Sequence, residues 1–208
     1  MTQPAISTEQ AAAFERCVQA GGVALFPSDT VYGLACDPDA RDAVARVYGL
    51  KRRPQSTPAA VMFFQLEAAL AAVPELGPRT AAALEEVLPG PVTLLLPNPT
   101  GRFPLACGPG AGTLGLRVPS LPPALQALET VRVPILQTSA NLAGEPEARM
   151  LADVPEALRT EVDLVLDGGE LPGLASTVVD LRAYEDDGSW AIVRPGALPR
   201  DRVAEALG

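Results

Sequence analysis

The sequence predicts an α/β protein built on a twisted, mixed, open sheet with helices. Three observations carry this. Short apolar runs of strand character alternate with helix-like stretches, but without a strict strand–helix–strand beat. Gly and Pro are plentiful, at 18 and 22 residues, so the elements are joined by many tight turns. The apolar share of 48% is enough for a real core in 208 residues. No internal repeat or long linker divides the chain, so residues 1–208 read as one domain.

The elements follow in order. Residues 7–20 read as a helix: Ser7 and Gln10 have capping-box spacing, and Gly21-Gly22 ends it. Residues 23–26 are a short apolar strand, and Pro27-Ser28-Asp29-Thr30 turns. Asp39 is placed to cap a second helix that runs to about Leu50. Residues 59–64 form an apolar strand; 66–73 and 79–88 read as helices; 92–96 and 114–118 as strands. A helix is expected at 123–128, a strand at 134–137 and a helix at 154–160. Strands at 162–166, 177–181 and 190–193 and a helix at 200–207 complete the chain. Residues 183–189, with Glu185-Asp186-Asp187-Gly188, suit a hairpin turn.

Composition excludes several functions. The chain has no histidine, which removes Ser-His-Asp and Cys-His catalysis and the common zinc ligand sets. Cys17, Cys36 and Cys107 are odd in number and widely spaced, so no disulfide framework is expected, and Cys17 reads as core. No apolar run approaches a membrane span, and the N-terminus lacks the pattern of a signal peptide, so a cytoplasmic protein is the default. The net charge of −9 argues against a broad nucleic-acid surface but not against a local basic cleft.

Lys51 is the only lysine; every other one of the 16 Lys and Arg residues is arginine. It sits in Lys51-Arg52-Arg53-Pro54, where a point charge and a planar fork lie together. That cluster suits a phosphate or carboxylate, and equally a solvated loop. Gly110-Ala111-Gly112-Thr113-Leu114-Gly115 matches GxGxxG, but prolines precede it and a strand follows, so it is not a dinucleotide fingerprint. No GxxxxGK[ST] loop exists. Thr138-Ser139-Ala140-Asn141 follows a strand, where hydroxyls and an amide can line a crevice or simply form a polar turn. Ser28-Asp29-Thr30 has the same character, and Ser176-Thr177 opens a strand. Arg117 lies inside an apolar strand, where a charge is usually paired or functional. Arg194 ends the last strand and could equally be a surface cation.

Taken together, the motifs resemble the YrdC-like family, in its short TsaC type, the threonylcarbamoyl-AMP synthases. The resemblance runs from about Gly22 to Gly196. It rests on Phe-Pro-Ser-Asp-Thr-Val-Tyr-Gly-Leu at 26–34, the KxRP of 51–54, Leu-Pro-Gly-Pro-Val-Thr at 88–93 and Gly-Leu-Arg-Val-Pro at 115–119. Thr-Ser-Ala-Asn with Gly144, Asp-Gly-Gly at 167–169, Ser-Thr-Val-Val-Asp at 176–180 and Arg-Pro-Gly-Ala at 194–197 follow.

The resemblance implies a YrdC-like fold with a central ligand cleft. It also implies synthesis of threonylcarbamoyl-AMP and pyrophosphate from L-threonine, bicarbonate and ATP, with Mg²⁺ on the triphosphate. Partner transferases would then pass the group to tRNA. By the same resemblance, Lys51 and Arg53 are catalytic and hold the ATP phosphates, helped by Thr57, Thr113, Asn141 and Arg194. Thr30, Arg117, Ser139 and Ser176 would hold threonine, with Arg117 on its carboxylate. No protein metal ligands are implied. Met62 and Leu121 stand where relatives commonly carry histidines, and Met62 is expected near threonine. Residues 102–112 have the composition of a lid. Two other readings stay open: a divergent paralogue that binds nucleotide or structured RNA without this activity, and a small-molecule kinase or nucleotidyltransferase unrelated to tRNA.

Overall fold

The computed structural model describes residues 4–208; residues 1–3, the start of the stretch read as lacking a signal peptide, lie outside them. The chain opens with α1, Thr8–Gln19. Its capping box is present: Gln10 N–H donates to Ser7 Oγ at 3.2 Å, and Ser7 N–H to Gln10 Oε1 at 2.9 Å. β1, Ala24–Pro27, then pairs antiparallel with β2, Tyr32–Cys36, with Leu25 opposite Leu34. The sequence reading had no β2. All five of its residues are buried, so the alternation that marks a half-exposed strand is missing. Gly33 suits this packing: a Cβ there would lie 2.9 Å from Gln137 Nε2 and 3.2 Å from Thr138 O.

α2 spans Arg41–Leu50, and its N-cap is Ala40, which makes no side-chain cap. Asp39 therefore does not cap it; its N–H donates to Asp37 Oδ1 at 2.8 Å in the preceding turn. β3 (Ala60–Met62), α3 (Leu66–Ala72), α4 (Pro78–Val87) and β4 (Val92–Pro97) follow. α5, Pro104–Cys107, is a single turn inside the segment read as a lid, and β5 is Thr113–Arg117. The segment Pro123–Thr130 is a 3₁₀ helix rather than the expected α-helix. After β6 (Ile135–Ser139), a 3₁₀ turn at Leu151–Asp153 leads to α6 (Glu156–Thr160), shorter than expected, and β7 (Leu164–Val165). β8 (Thr177–Asp180) and β9 (Ala191–Arg194) pair antiparallel. Their connection contains α7, Tyr184–Asp187, so the acidic hairpin turn is itself one helical turn. α8, Arg200–Leu207, ends the chain.

Among the described residues the strands form one nine-stranded sheet, in the order β7-β1-β2-β6-β3-β5-β4-β8-β9. It is mixed: β3–β5 and β4–β8 are parallel, whereas β3–β6 and β4–β5 are antiparallel. Phe14, Phe26 and Phe64 pack with centroids 5.1–6.5 Å apart. Enclosing each such ring stabilises the fold by roughly 1.5–3 kcal/mol. Cys17 is only half-buried, although it packs against the core, and all three cysteines are free.

Register decides what one face of the sheet centre presents. Ala60 sits beside Gly115 and Gln137, Leu95 beside Gly115, and Thr93 beside Val178. Positions two apart on a strand share a face, so Arg117, Gln137 and Ser139 look the same way as Gly115 and Ala60.

Candidate functional site

That face is the floor of a cavity of about 520 Å³. Six of the ten sequence-predicted site residues line it: Arg53, Thr113, Arg117, Ser139, Ser176 and Arg194. Strand ends supply most of them, and the loop after α2 supplies Arg53. The other four, Lys51, Thr57, Thr30 and Asn141, are not on the wall.

Lys51 is buried behind it. Its ammonium donates to the Ser139 carbonyl, to Asn141 O at 2.7 Å and to Asn141 Oδ1 at 3.0 Å. All three of its N–H donors thus have partners, and the loop after β6 is tied to the end of α2. Ser139 Oγ also donates to Asn141 Oδ1 at 2.6 Å, and Asn141 Nδ2 to Glu145 O at 2.5 Å. The amide is used as an internal strut. Burial pulls the Lys51 ammonium down to about 8; Arg53 pushes the same way and Glu147 opposes. The three acceptors favour the charged form. A chain without histidine therefore still has a group that titrates just above neutrality.

Arg53 is half-buried, donating to Thr138 Oγ1 at 3.0 Å and Pro58 O at 2.5 Å, with its guanidinium 5.7 Å from the Tyr48 ring centroid. Burial and the nearby Arg194 lower its pKa, against a raising effect from Tyr48. Thr57 is off the wall, and its carbonyl accepts from Tyr48 Oη at 2.7 Å. Arg194 donates to Ser176 O at 2.8 Å and Oγ at 3.3 Å.

The third arginine on the wall is Arg117, its side chain only 3% exposed. It pairs with Asp29, equally buried, at 2.8 Å, and donates to Gln137 Oε1 at 3.3 Å and Thr30 Oγ1 at 3.4 Å. Its Nε is buried without a partner. Burial pushes the Asp29 carboxyl up, while Arg117 and the Ser120 N–H, donating at 3.1 Å, pull it down. Thr30 is fully buried beneath this pair.

The sequence reading missed several wall residues. Thr93, in the quoted Leu-Pro-Gly-Pro-Val-Thr motif, shares a hydrogen bond of 2.9 Å with Ser176 Oγ. Gln137, Glu147 and Arg182 also line the cavity. Period-two spacing from Ser139 could have found Gln137; nothing local marked the other two. Met62, expected near threonine, is fully buried and off the wall. It occupies the register beside Arg117 and Ile135, two residues along β3 from the cavity-lining Ala60 and so on the same face, but packing buries its thioether. Leu121 is likewise off the wall and packs against the core. Within the lid segment, Arg102 pairs with Glu75 at 3.0 Å, and Asn98 Nδ2 donates to Arg102 O and Ala111 O. Asn98 N–H also donates to Gly112 O at 2.9 Å, so only residues 108–110 remain without such ties.

A model of the Sua5/YciO/YrdC family, described as Telomere recombination, matches residues 16–196. This chain belongs to that family. Among its family relatives, the threonylcarbamoyl-AMP synthase of Xanthomonas campestris is 37% identical over 157 residues, covering 74% of this chain and 83% of the relative. That of Pyrococcus abyssi is 32% identical over 195 residues, covering 92% of this chain but 55% of the relative. The chain thus spans about half the length of the Pyrococcus protein. The crystal structure of P. abyssi Sua5 complexed with L-threonine superposes with a TM-score of 0.81 at 27% identity, over 98% of this chain and 58% of that one. The mixed nine-stranded sheet is the YrdC-like fold of the family. Among the described residues, no helix is long and apolar enough to cross a membrane.

Proposed function

We infer that this chain is a threonylcarbamoyl-AMP synthase, a nucleotidyltransferase that makes threonylcarbamoyl-AMP and pyrophosphate from L-threonine, bicarbonate and ATP. The observation that carries this is one cavity with two kinds of cationic end. Arg53 and Arg194 have no carboxylate partner among the described residues, whereas Arg117 is paired with Asp29. The first end suits a polyphosphate, and the second a zwitterion that brings one carboxylate. Synthases of this name in Xanthomonas and Pyrococcus, and the threonine-bound Sua5 structure, support the reading.

The chemistry asks little of side chains beyond placement. Threonine's free amine forms a C–N bond with CO2, opening one C=O π bond to a carboxylate as the nitrogen loses a proton, or with bicarbonate, which loses water. The new carbamate oxygen attacks the α-phosphorus, and the bond to pyrophosphate breaks. The protein must hold two mutually repelling anions in line and neutralise charge as it moves to the leaving group. Arg53 and Arg194 take the phosphates, with Thr113 at the wall beside them. Lys51 acts from beneath, holding the loop that carries Ser139 and Asn141 and lending its charge. Arg117, oriented with Thr30 behind it, takes the threonine carboxylate, and Ser139 and Ser176 supply hydroxyls. Among the described residues, no group of three or more His, Cys, Asp or Glu could hold a metal ion. Mg²⁺ would enter as part of the nucleotide substrate. The product feeds tRNA modification through partner transferases, in the cytoplasm, and one core cluster from Ile6 to Leu207 supports a single domain. The test is pyrophosphate release from Mg·ATP by purified protein: release is expected to need both threonine and bicarbonate. Release that ignores either one, or none with all present, overturns the reading.

A further inference from the structure

Three arginines share one cavity wall, and the proposed reaction brings two anions to it. Something must decide which anion meets which arginine. A polyphosphate carries several charges and would outcompete a single carboxylate at any open guanidinium. Arg194 lies close enough to Arg53 to disfavour its charge, and neither has a carboxylate within ion-pairing distance among the described residues. Arg117 also feels Arg194, yet its fork is already occupied. Asp29 Oδ1 takes Nη2 at 2.8 Å, and Asp29 Oδ2 is fixed by the Ser120 N–H at 3.1 Å. Gln137 takes Nη1, and only the buried Nε is left without a partner. Asp29 itself does not reach the wall. Its charge cannot touch a ligand; it acts only through Arg117.

We propose that Asp29 is a sorting residue: by cancelling the charge of Arg117, it closes that end of the cavity to phosphates and reserves it for an amino acid's lone carboxylate. This rests on the reading of Arg117 as the carboxylate subsite. A wholly buried ion pair is a costly way to add stability, because both ions lose their water. Here the pair leaves Arg117 on the cavity wall with N–H hydrogens unused by its three bonds and with little net charge. Such a site still hydrogen-bonds a carboxylate but attracts no polyanion from a distance.

The experiment is calorimetric titration of L-threonine into wild-type and Asp29→Asn protein, with and without inorganic phosphate, in the absence of ATP. In the wild type, the threonine Kd is expected to stay within about twofold when phosphate is added. In Asp29→Asn, which keeps the side chain's size and an acceptor for Ser120, phosphate is expected to raise the apparent Kd by about tenfold, the loss of one charge-assisted contact. A variant as indifferent to phosphate as the wild type overturns the proposal, as does a wild type already sensitive to it. Wild-type protein that fails to bind threonine at all would instead sink the functional reading. Should Asp29→Asn not fold, the double variant Arg53→Gln/Arg194→Gln gives the complementary test. It is expected to lose pyrophosphate binding by about 100-fold while threonine binding stays within about twofold. Retained pyrophosphate binding would show that Arg117 accepts polyanions despite Asp29.

Discussion

Two loops border the cavity, and they are built in opposite ways. After β6, residues 139–145 have their polar atoms engaged: Lys51 on two carbonyls and an amide oxygen, Ser139 on Asn141, Asn141 on Glu145. Before β5, residues 108–110 make no such hydrogen bond, and around Gly110 an added Cβ would meet nothing within 4 Å. The first loop is pre-organised, so it can place Ser139 with little ordering cost at the moment of reaction. The second has few contacts to break, which is what a moving cover needs. Pro109 and Gly110 line the cavity, so movement there would change access. The contrast shows how one site can combine fixed placement with admission of substrates.

Removing the fixed loop's anchor is expected to have the largest effect. Lys51→Ala takes the ammonium from two backbone carbonyls and leaves Asn141 Oδ1 only Ser139 Oγ, and should destabilise the fold by about 2 kcal/mol. It should also lower kcat by roughly 100-fold or more, as for loss of a preorganised donor. Lys51→Arg should restore little, because a planar fork cannot converge on three acceptors as an ammonium does. Wild-type turnover in Lys51→Arg, measured by pyrophosphate release, would break the comparison.

A smaller effect is expected from pH. Burial holds the Lys51 pKa down to about 8, below its ordinary 10.5. As pH rises through about 8 the ammonium loses its proton, the loop loses one donor, and activity falls on the alkaline side. The folded state binds this proton less tightly than the unfolded chain. Its cost to stability is therefore full below pH 8 and fades as pH rises toward 10.5. Lys51→Arg keeps its charge there, so its residual activity should show no limb near 8. An identical limb in both proteins would assign the titration elsewhere.

The smallest effect concerns the open loop. Amide exchange at Gly108 and Gly110 should be fast in the free protein and slow several-fold with ATP and threonine present. Residues 102–107, tied by Glu75, Asn98 and α5, should stay protected throughout, as should 139–142. Equal protection of Gly108 and Gly110 with and without substrates would remove the distinction between the loops.

The sequence by itself determined much of this protein. Apolar runs and turn residues located most helices and strands, because local periodicity and capping chemistry survive in one dimension; the Ser7–Gln10 box is an instance. The ordered motifs marked Arg53, Thr113, Arg117, Ser139, Ser176 and Arg194, all of which share the cavity. Only the tertiary structure decided the rest. β2 is legible only through its neighbours, since it is buried on both faces. Met62 shares a face with Ala60 and Arg117, yet the packing around it buries it completely and keeps it off the wall. Lys51 looks like a phosphate ligand until the loop 88 to 90 residues away closes over its ammonium. Asp29 looks like a turn residue until the strand carrying Arg117 passes within 2.8 Å. Each of these depends on contacts between residues far apart in the chain, and such contacts leave no mark on the local pattern.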